Sequence, residues 1–307
     1  MSDIVVIGSL NMDLVVNTPR LPALGETILG SGFMTGPGGK GANQAVAAAR
    51  LGGRVGMIGC VGDDLFGRDL VKNLQVNGVE TSHVKALDSC PTGTAVIVVK
   101  DGDNFIIVDP GANYKLTPEM MEASEAMIGE SRLVVLQLEI PIDTVAKAVE
   151  IAARHNVPIL LNPSPARELP AGLLQLVDYI ILNESECELI TGIPVKTPED
   201  AGKGAEALSG MGIKYPLITM GSRGALYMEN GSFIHKSGHR VKAVDTTAAG
   251  DTFAGAVATV LAAGGTIGEA VDFANAAAAL AVMKKGAQAS IPALADVSDF
   301  ILKTLFK

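Results

Sequence analysis

The sequence predicts an α/β fold: a doubly wound, mainly parallel sheet flanked by helices, with a small β-sheet lid. Three observations predict it. Short β-branched runs alternate with amphipathic or alanine-rich stretches along most of the 307 residues, the order that strand–helix–strand crossovers require. Polar residues recur just past the ends of the apolar runs, where a parallel sheet binds its ligands. Two stretches, 13–36 and 93–111, break the alternation and carry no helical period.

In chain order, "DIVVIG" (3–8), "RVGMIGC" (54–60), "RLVVLQLE" (132–139), "VPILLNP" (157–163), "VDYIILNE" (177–184) and "YPLITMG" (215–221) read as buried strands. Helices are expected at Ala42–Leu51, Leu65–Asn77, Ile142–His155 and Ala201–Ser209, then at roughly Gly250–Ala263 and Ile267–Lys284. The second irregular stretch reads as a hairpin around Asp101-Gly102, a pair that tolerates the positive φ of a two-residue loop. Both stretches read as strands inserted into one domain spanning 1–307, forming a lid or a dimer surface, or else as decorated surface loops.

Composition narrows the function. A chain that is 48% hydrophobic can bury a large core, and its net charge of −9 disfavours a sequence-independent grip on nucleic acid. The three cysteines are far apart and form no CxxC pair, so neither a zinc site nor a disulfide framework is indicated. The start "MSDIVVIGSL" lacks the basic region of a signal peptide. The apolar stretch Phe253–Ala263 falls short of a membrane span. A cytoplasmic protein without membrane partners is expected.

Asn11, Asp13, Glu139, Asn162, Asn183 and Glu186 all follow predicted strands. Each could cap a helix, but together they imply a polar pocket on one sheet edge. "GPGGKGANQA" (36–45) contains GxGxxG, yet it does not follow the first strand as a dinucleotide fingerprint should. Nor is it a P-loop, because Gly41 follows Lys40 where Ser or Thr is needed. What remains is a glycine turn that lets backbone approach a ligand, with Lys40 and Asn43 as hydrogen-bonding groups suited to a polyol.

"DTTAAGDTFAGAV" (245–257) places two aspartates around a bare backbone at a helix start. Free N–H groups at the positive end of a helix suit an anion such as a transferring phosphoryl group. Asp251, in the first turn, could take a hydroxyl proton there, while Asp245 could hold the loop or bind a cation behind it. The same stretch would equally serve as a capping aspartate with tight Ala-Gly helix packing.

"GGKGANQAVAAARLG" and "DTTAAGDTFAGA" resemble the two signatures of the ribokinase (carbohydrate kinase) family. "GSLNMD", "LQLEIP", "LNPSPARELP", "LNESECE" and "TMGSRGALY" extend the resemblance over essentially the whole chain. The resemblance implies an ATP-dependent sugar kinase, with D-ribose phosphorylated at its 5-hydroxyl. It implies Asp251 as general base and the backbone of Ala248, Ala249 and Gly250 as the anion hole. Asn11, Met12, Asp13, Gly39, Lys40, Gly41, Ala42, Asn43 and Glu139, together with Asp251, are implied to bind the sugar. Asn183, Thr219, Gly221, Ser222, Gly224 and Gly250 are implied for ATP, with Glu186 reaching Mg2+ through water. Asn275 stands where relatives often carry His beside the adenine, so that contact departs from the pattern. Asp245, Thr247, Ala281, Lys284, Gly286 and Ser290 match a monovalent-cation site for K+, several through carbonyls. Relatives with such lids pair them into a homodimer. Another sugar or nucleoside kinase of the family, such as a deoxyribokinase, and a non-catalytic sugar sensor are the alternatives. A dehydrogenase is disfavoured by the misplaced GxGxxG.

Overall fold

The computed structural model describes residues 2–100, 103–167, 169–170 and 172–305. Its strands are β1 (Ile4–Ile7), β2 (Asn11–Asn17), β3 (Ser31–Gly38), β4 (Val55–Gly62), β5 (Glu80–Leu87), β6 (Gly93–Lys100), β7 (Asp103–Asp109), β8 (Leu133–Leu136), β9 (Ile159–Leu161), β10 (Tyr179–Asn183), β11 (Tyr215–Thr219), β12 (Ala225–Glu229) and β13 (Ser232–Lys236). The α-helices are α1 (Lys40–Arg50), α2 (Leu65–Val76), α3 (Pro118–Glu122), α4 (Glu125–Gly129), α5 (Ile142–Arg154), α6 (Glu184–Thr191), α7 (Pro198–Gly210), α8 (Ala249–Ala262), α9 (Ile267–Ala281) and α10 (Leu294–Leu305).

The main sheet runs β13-β12-β11-β10-β9-β8-β1-β4-β5. It is parallel from β5 to β11 and closes with the antiparallel pair β12 and β13. Alternate residues of each strand point to opposite faces, and both faces are covered. Ile4 and Val6 pack with the apolar sides of α1, α8 and α9, while Val5 and Ile7 pack with α5 and α7.

A separate four-stranded sheet, β3-β2-β6-β7, is built from the two irregular stretches. β2 pairs with β6 in parallel and with β3 antiparallel, and β6 pairs with β7 antiparallel. In the first stretch only its two ends are strands. The proposed Asp101-Gly102 turn lies outside the described residues.

Two glycines place the helices that matter. Gly39 precedes α1 at φ 88, and a Cβ there would meet Asn11 N at 2.6 Å. Only glycine combines that conformation with that approach. Gly255 lets α8 lie against α1, because a Cβ would meet Gln44 O at 2.8 Å and Ala48 N at 2.9 Å. That contact sets the first turns of both helices side by side.

The structure has elements beyond the expected ones, β5, β12 and β13 in the main sheet and helices α3, α4, α6 and α10, and it shifts some expected ends. β5 and β13 are edge strands with mixed exposure, so their sequences lack the continuous apolar run of a buried strand. The helix expected at Ala201–Ser209 begins earlier, at Pro198, where Thr197 and Asp200 form a capping box. The helix expected to reach Lys284 ends at Ala281, before the turn leading to Gly286.

Candidate active site

A cavity of about 270 Å³ lies between the main sheet's ligand edge and the small sheet. Its polar wall is Asn11, Asp13, Lys40, Asn43, Glu139 and Asp251, with Gly39 and Ala248 beside them. Its roof is apolar, Ala95, Ile97, Ile106 and Val108 from β6 and β7, interrupted by Asn104. A second cavity of about 260 Å³ sits between α2 and the edge strand β5, and it contains none of the residues expected to carry chemistry.

Asn11, Glu139 and Asp251 on the wall are each held by neighbouring groups. Asn11 is 3% exposed, and its Oδ1 accepts from Asn113 Nδ2 at 2.7 Å. Asn113 in turn is pinned to both backbone groups of Leu10. Glu139 Oε2 accepts from Ser9 Oγ at 2.5 Å and from the Lys40 N–H at 3.1 Å. Asp251 Oδ2 accepts from Asn43 Nδ2 at 2.8 Å, and Oδ1 from Gln44 Nε2 at 3.0 Å.

The electrostatics follow from crowding carboxylates in a dry space. Burial, with the nearby charges of Glu139 and Asp251, pushes the Asp13 carboxyl up to about 7. Burial acts to lower the Lys40 ammonium, but Asp251, Glu139 and Glu186 outweigh it and hold it above the ordinary lysine value. Lys40 is therefore the shared counter-charge of the polar wall and of Glu186.

The helix start next to Asp251 is open. Ala248 stands at φ 57 and caps α8 without any side-chain bond. The Ala249 N–H donates to Thr246 O at 3.2 Å, so this member of the expected anion hole is engaged within the protein. The N–H groups of Gly250 and Asp251 have no protein acceptor among the described residues. A Cβ on Gly250 would meet nothing within 4 Å. Two orphan donors thus lie at the positive end of a helix.

The other expected residues fall into separate groups. Met12 points away from the cavity into the core, because it alternates with Asn11 and Asp13 along β2. Gly41 and Ala42 are buried in the first turn of α1 and do not line the cavity. Asn183 and Glu186 form the capping box of α6, with Glu186 Oε2 accepting from Asn183 N at 2.9 Å. Thr219 ends β11 beside Asn183, and Gly221, Ser222 and Gly224 form the turn into β12. Asn275, on α9, is buried and donates to Lys236 O at 3.4 Å.

Asp245 is brought against the turn after α9. Its Oδ1 accepts from Thr247 N at 2.9 Å and Thr247 Oγ1 at 2.6 Å, and its Oδ2 from Gly286 N at 2.9 Å. Burial raises the Asp245 carboxyl, but these donors and Lys285 prevail and keep it below the ordinary range. Ala281 O accepts from Lys284 N at 3.1 Å, and Ser290 Oγ donates to Ala287 O at 2.8 Å. Among the described residues no group of three or more His, Cys, Asp or Glu side chains is arranged to hold a metal ion, and no helix is long and apolar enough to cross a membrane.

Sequence reasoning passed over Ser9, Gln44, Asn104 and Asn113. Ser9 and Gln44 lie inside motifs already singled out, two residues before Asn11 and one after Asn43. Asn113 follows the lid in a stretch with no periodic signal, and only the fold brings it to Asn11.

The chain is 41% identical over 297 residues to the ribokinase of Haemophilus influenzae, covering 96% of this chain and 97% of that protein. It is 38% identical over 301 residues to the deoxyribokinase of Salmonella typhi, covering 97% and 98%. The structure of Arabidopsis thaliana ribokinase complexed with ribose and ATP superposes with a TM-score of 0.92 at 34% identity, over 98% of both chains. The family model described as pfkB family carbohydrate kinase matches residues 1–294. With its two sheets, its crowded carboxylate wall and the open start of α8 beside it, the chain belongs to the pfkB family of carbohydrate kinases.

Proposed function

We propose that this kinase transfers the γ-phosphoryl group of ATP to the 5-hydroxyl of D-ribose, giving D-ribose 5-phosphate and ADP. The observation that carries the reading is the junction of Asp251 with the unpaired N–H groups of Gly250 and Asp251, at the mouth of a cavity walled by Asp13, Asn11, Lys40, Asn43 and Glu139. A carboxylate only accepts, so Asp13 and Glu139 suit the hydroxyls of a polyol. Asp251 takes the proton of the 5-hydroxyl as its oxygen attacks the γ-phosphorus, and the bond to the ADP oxygen breaks. The Gly250 and Asp251 N–H groups face the charge that builds on the transferred oxygens. Ala95, Ile97, Ile106 and Val108 cover the sugar and keep water away.

ATP lies, in this reading, along Asn183, Thr219 and the Gly221–Gly224 turn, with its base toward Asn275. Glu186 Oε1 has no protein partner among the described residues and is free to hold Mg2+ through water. Mg2+ offsets phosphate charge when bound. For K+, the fit is a carboxylate kept ionised beside Thr247, the Gly286 turn and the carbonyls of Ala281, Lys284 and Ser290. Asp245 already accepts from three protein donors, leaving about one acceptor position. The outer face of the small sheet exposes Phe33, Phe105 and Ile107, the last at 71%, an apolar surface fitted to a second copy in a homodimer. Residues 1–307 are read as one α/β domain with lid segments 13–36 and 93–111.

The test is a coupled ADP-release assay across D-ribose, 2-deoxy-D-ribose, D-fructose and nucleosides. The expected result is the highest kcat/KM with D-ribose. The deoxyribokinase relative at 38% identity makes deoxyribose the second reading, and a higher kcat/KM for it would replace the first. ADP release with none of them would leave a sugar sensor.

A further inference from the structure

Two adjacent amides of α1 hold the Asp251 carboxylate, and only one of them borders the cavity. Asn43 Nδ2 binds Oδ2 and lines the cavity, whereas Gln44 Nε2 binds Oδ1 from a fully buried position outside it. We infer that Gln44, oriented by Gln137, is a positioning residue that sets the plane of the Asp251 carboxylate for proton transfer. The inference rests on Asp251 being the base.

The orientation of the amides follows from Asp251 outward. A carboxylate only accepts, so Gln44 must face it with its NH2 group. The same nitrogen donates to Asn162 Oδ1 at 3.1 Å, and Asn162 Nδ2 donates to Ile181 O at 2.9 Å. Gln44 Oε1 then accepts from Gln137 Nε2 at 2.7 Å. Rotating any one of these amides by half a turn would set donor against donor or acceptor against acceptor.

The far end of the chain shows that packing alone does not account for it. Gln137 Oε1 is buried with no partner among the described residues, and it lies against Gly8, where a side chain would overlap it. A buried orphan carbonyl is unfavourable, and two aliphatic side chains could occupy that volume without one. What the amide chain adds is direction at Asp251. Donors on both oxygens leave the carboxylate plane no freedom to turn, and proton transfer depends on that alignment. The grip is also insensitive to pH, since amides do not titrate in the working range.

Two substitutions test this. Gln44→Met keeps the volume and removes the donor. Gln137→Glu keeps Gln44 but offers it an acceptor, drawing its NH2 group away and turning its carbonyl onto Asp251. Each is expected to lower kcat roughly 10- to 100-fold, with ribose KM and calorimetric ribose affinity within about threefold of the parent. Intact ribose binding shows that the variant is folded, and Gln137→Glu serves if Gln44→Met fails to fold. In an Asp251→Asn background neither change should cost more than about a further twofold, because both act through the same carboxylate. Gln44→Met turning over within about twofold of the parent, or losing as much rate in the Asp251→Asn background as alone, overturns the inference and leaves the assignment of the base intact. Asp251→Asn turning over like the parent removes the base itself, and with it anything for Gln44 to position.

Discussion

The cavity wall and the open start of α8 are a few residues apart and are built in opposite ways. On the wall, three of the side chains expected to meet the sugar are already tied to protein: Asn11 to Asn113, Glu139 to Ser9 and Lys40 N, Asp251 to Asn43 and Gln44. At the helix start, the N–H groups of Gly250 and Asp251 have no protein partner among the described residues. A neutral polyol can be recognised only by groups whose directions are fixed beforehand, because each hydrogen bond to it is worth little net of water. An anion is attracted by any bare donor at a helix start, so that end can stay open. The substitutions below probe one side while leaving the other unchanged.

The largest effect is expected where the two meet. Asp251→Asn keeps the size of the side chain, turns one of its two acceptor positions into a donor and cannot accept a proton. Turnover should fall by about 10²–10⁴, while ribose binding measured by calorimetry persists. Retained turnover would mean that the wall recognises sugar without supplying the base.

Next comes Asp13, which belongs to the wall alone. Asp13→Ala should weaken ribose by about 1–3 kcal/mol for each hydroxyl left unpaired, with the ATP KM hardly moved. The parent should also bind ribose in a pH-dependent manner. Asp13 is raised from 3.8 to about 7 by burial and by Glu139 and Asp251, and sugar hydroxyls favour its ionised form. Ribose affinity should therefore climb roughly tenfold between pH 6 and pH 8 and then level off, with proton release on binding. The stability of the ligand-free protein moves the other way. A raised carboxyl stabilises the fold below its unfolded value near 3.8, and that contribution is lost as pH rises through about 7. Asp13→Asn should therefore be more stable than the parent above pH 7 and show no such gain near pH 4, as thermal denaturation at the two pH values would reveal.

The same contrast explains how much was legible in the sequence. Buried parallel strands declare themselves by continuous apolar runs, so the main sheet could be read, as could the motifs that feed the wall. The edge strand β5 and the short helices α3 and α4 have no such run or period. The network behind the wall was least visible, since Gln44, Gln137, Asn113 and Ser9 are ordinary polar residues until the fold brings them to their partners across up to 207 positions. Met12 shows the converse: proximity in a motif implied sugar contact, whereas strand alternation turns its side chain into the core.

On the open side, Gly250→Ala separates stability from activity. A Cβ there meets no atom within 4 Å, and alanine favours a helix over glycine by up to about 1 kcal/mol. The protein should be as stable or slightly more so, while the added methyl crowds the approach to the bare N–H groups. A loss of roughly tenfold in kcat, well below that of deleting an anion-hole donor outright, is expected with ribose affinity unchanged. A variant that is both more stable and fully active would show that the phosphoryl group does not approach α8 on that side.

The smallest effect concerns what holds the open loop in place. Asp245 binds Thr247 on one side and Gly286 on the other, so it ties the segment before Ala248 to the turn after α9. Both Val244 N and Asp245 N also reach Val282 O, at 2.7 and 3.2 Å. If K+ sits among these groups, it adds stiffness to a loop the protein has already tied, and contributes no new contact to either substrate. Replacing K+ with tetramethylammonium at equal ionic strength, with ribose and MgATP saturating, should then lower kcat only several-fold, in keeping with a preorganisation effect smaller than the loss of one anion-hole donor. The ribose affinity of the wall should not change, because Asn11 and Glu139 are held by other partners and Asp13 is carried on β2. An unchanged rate would mean that the three protein donors on Asp245 hold the loop without a cation. A loss of ribose affinity on removing K+ would mean that the two regions are coupled, and that the wall is less independent of α8 than its hydrogen bonds indicate.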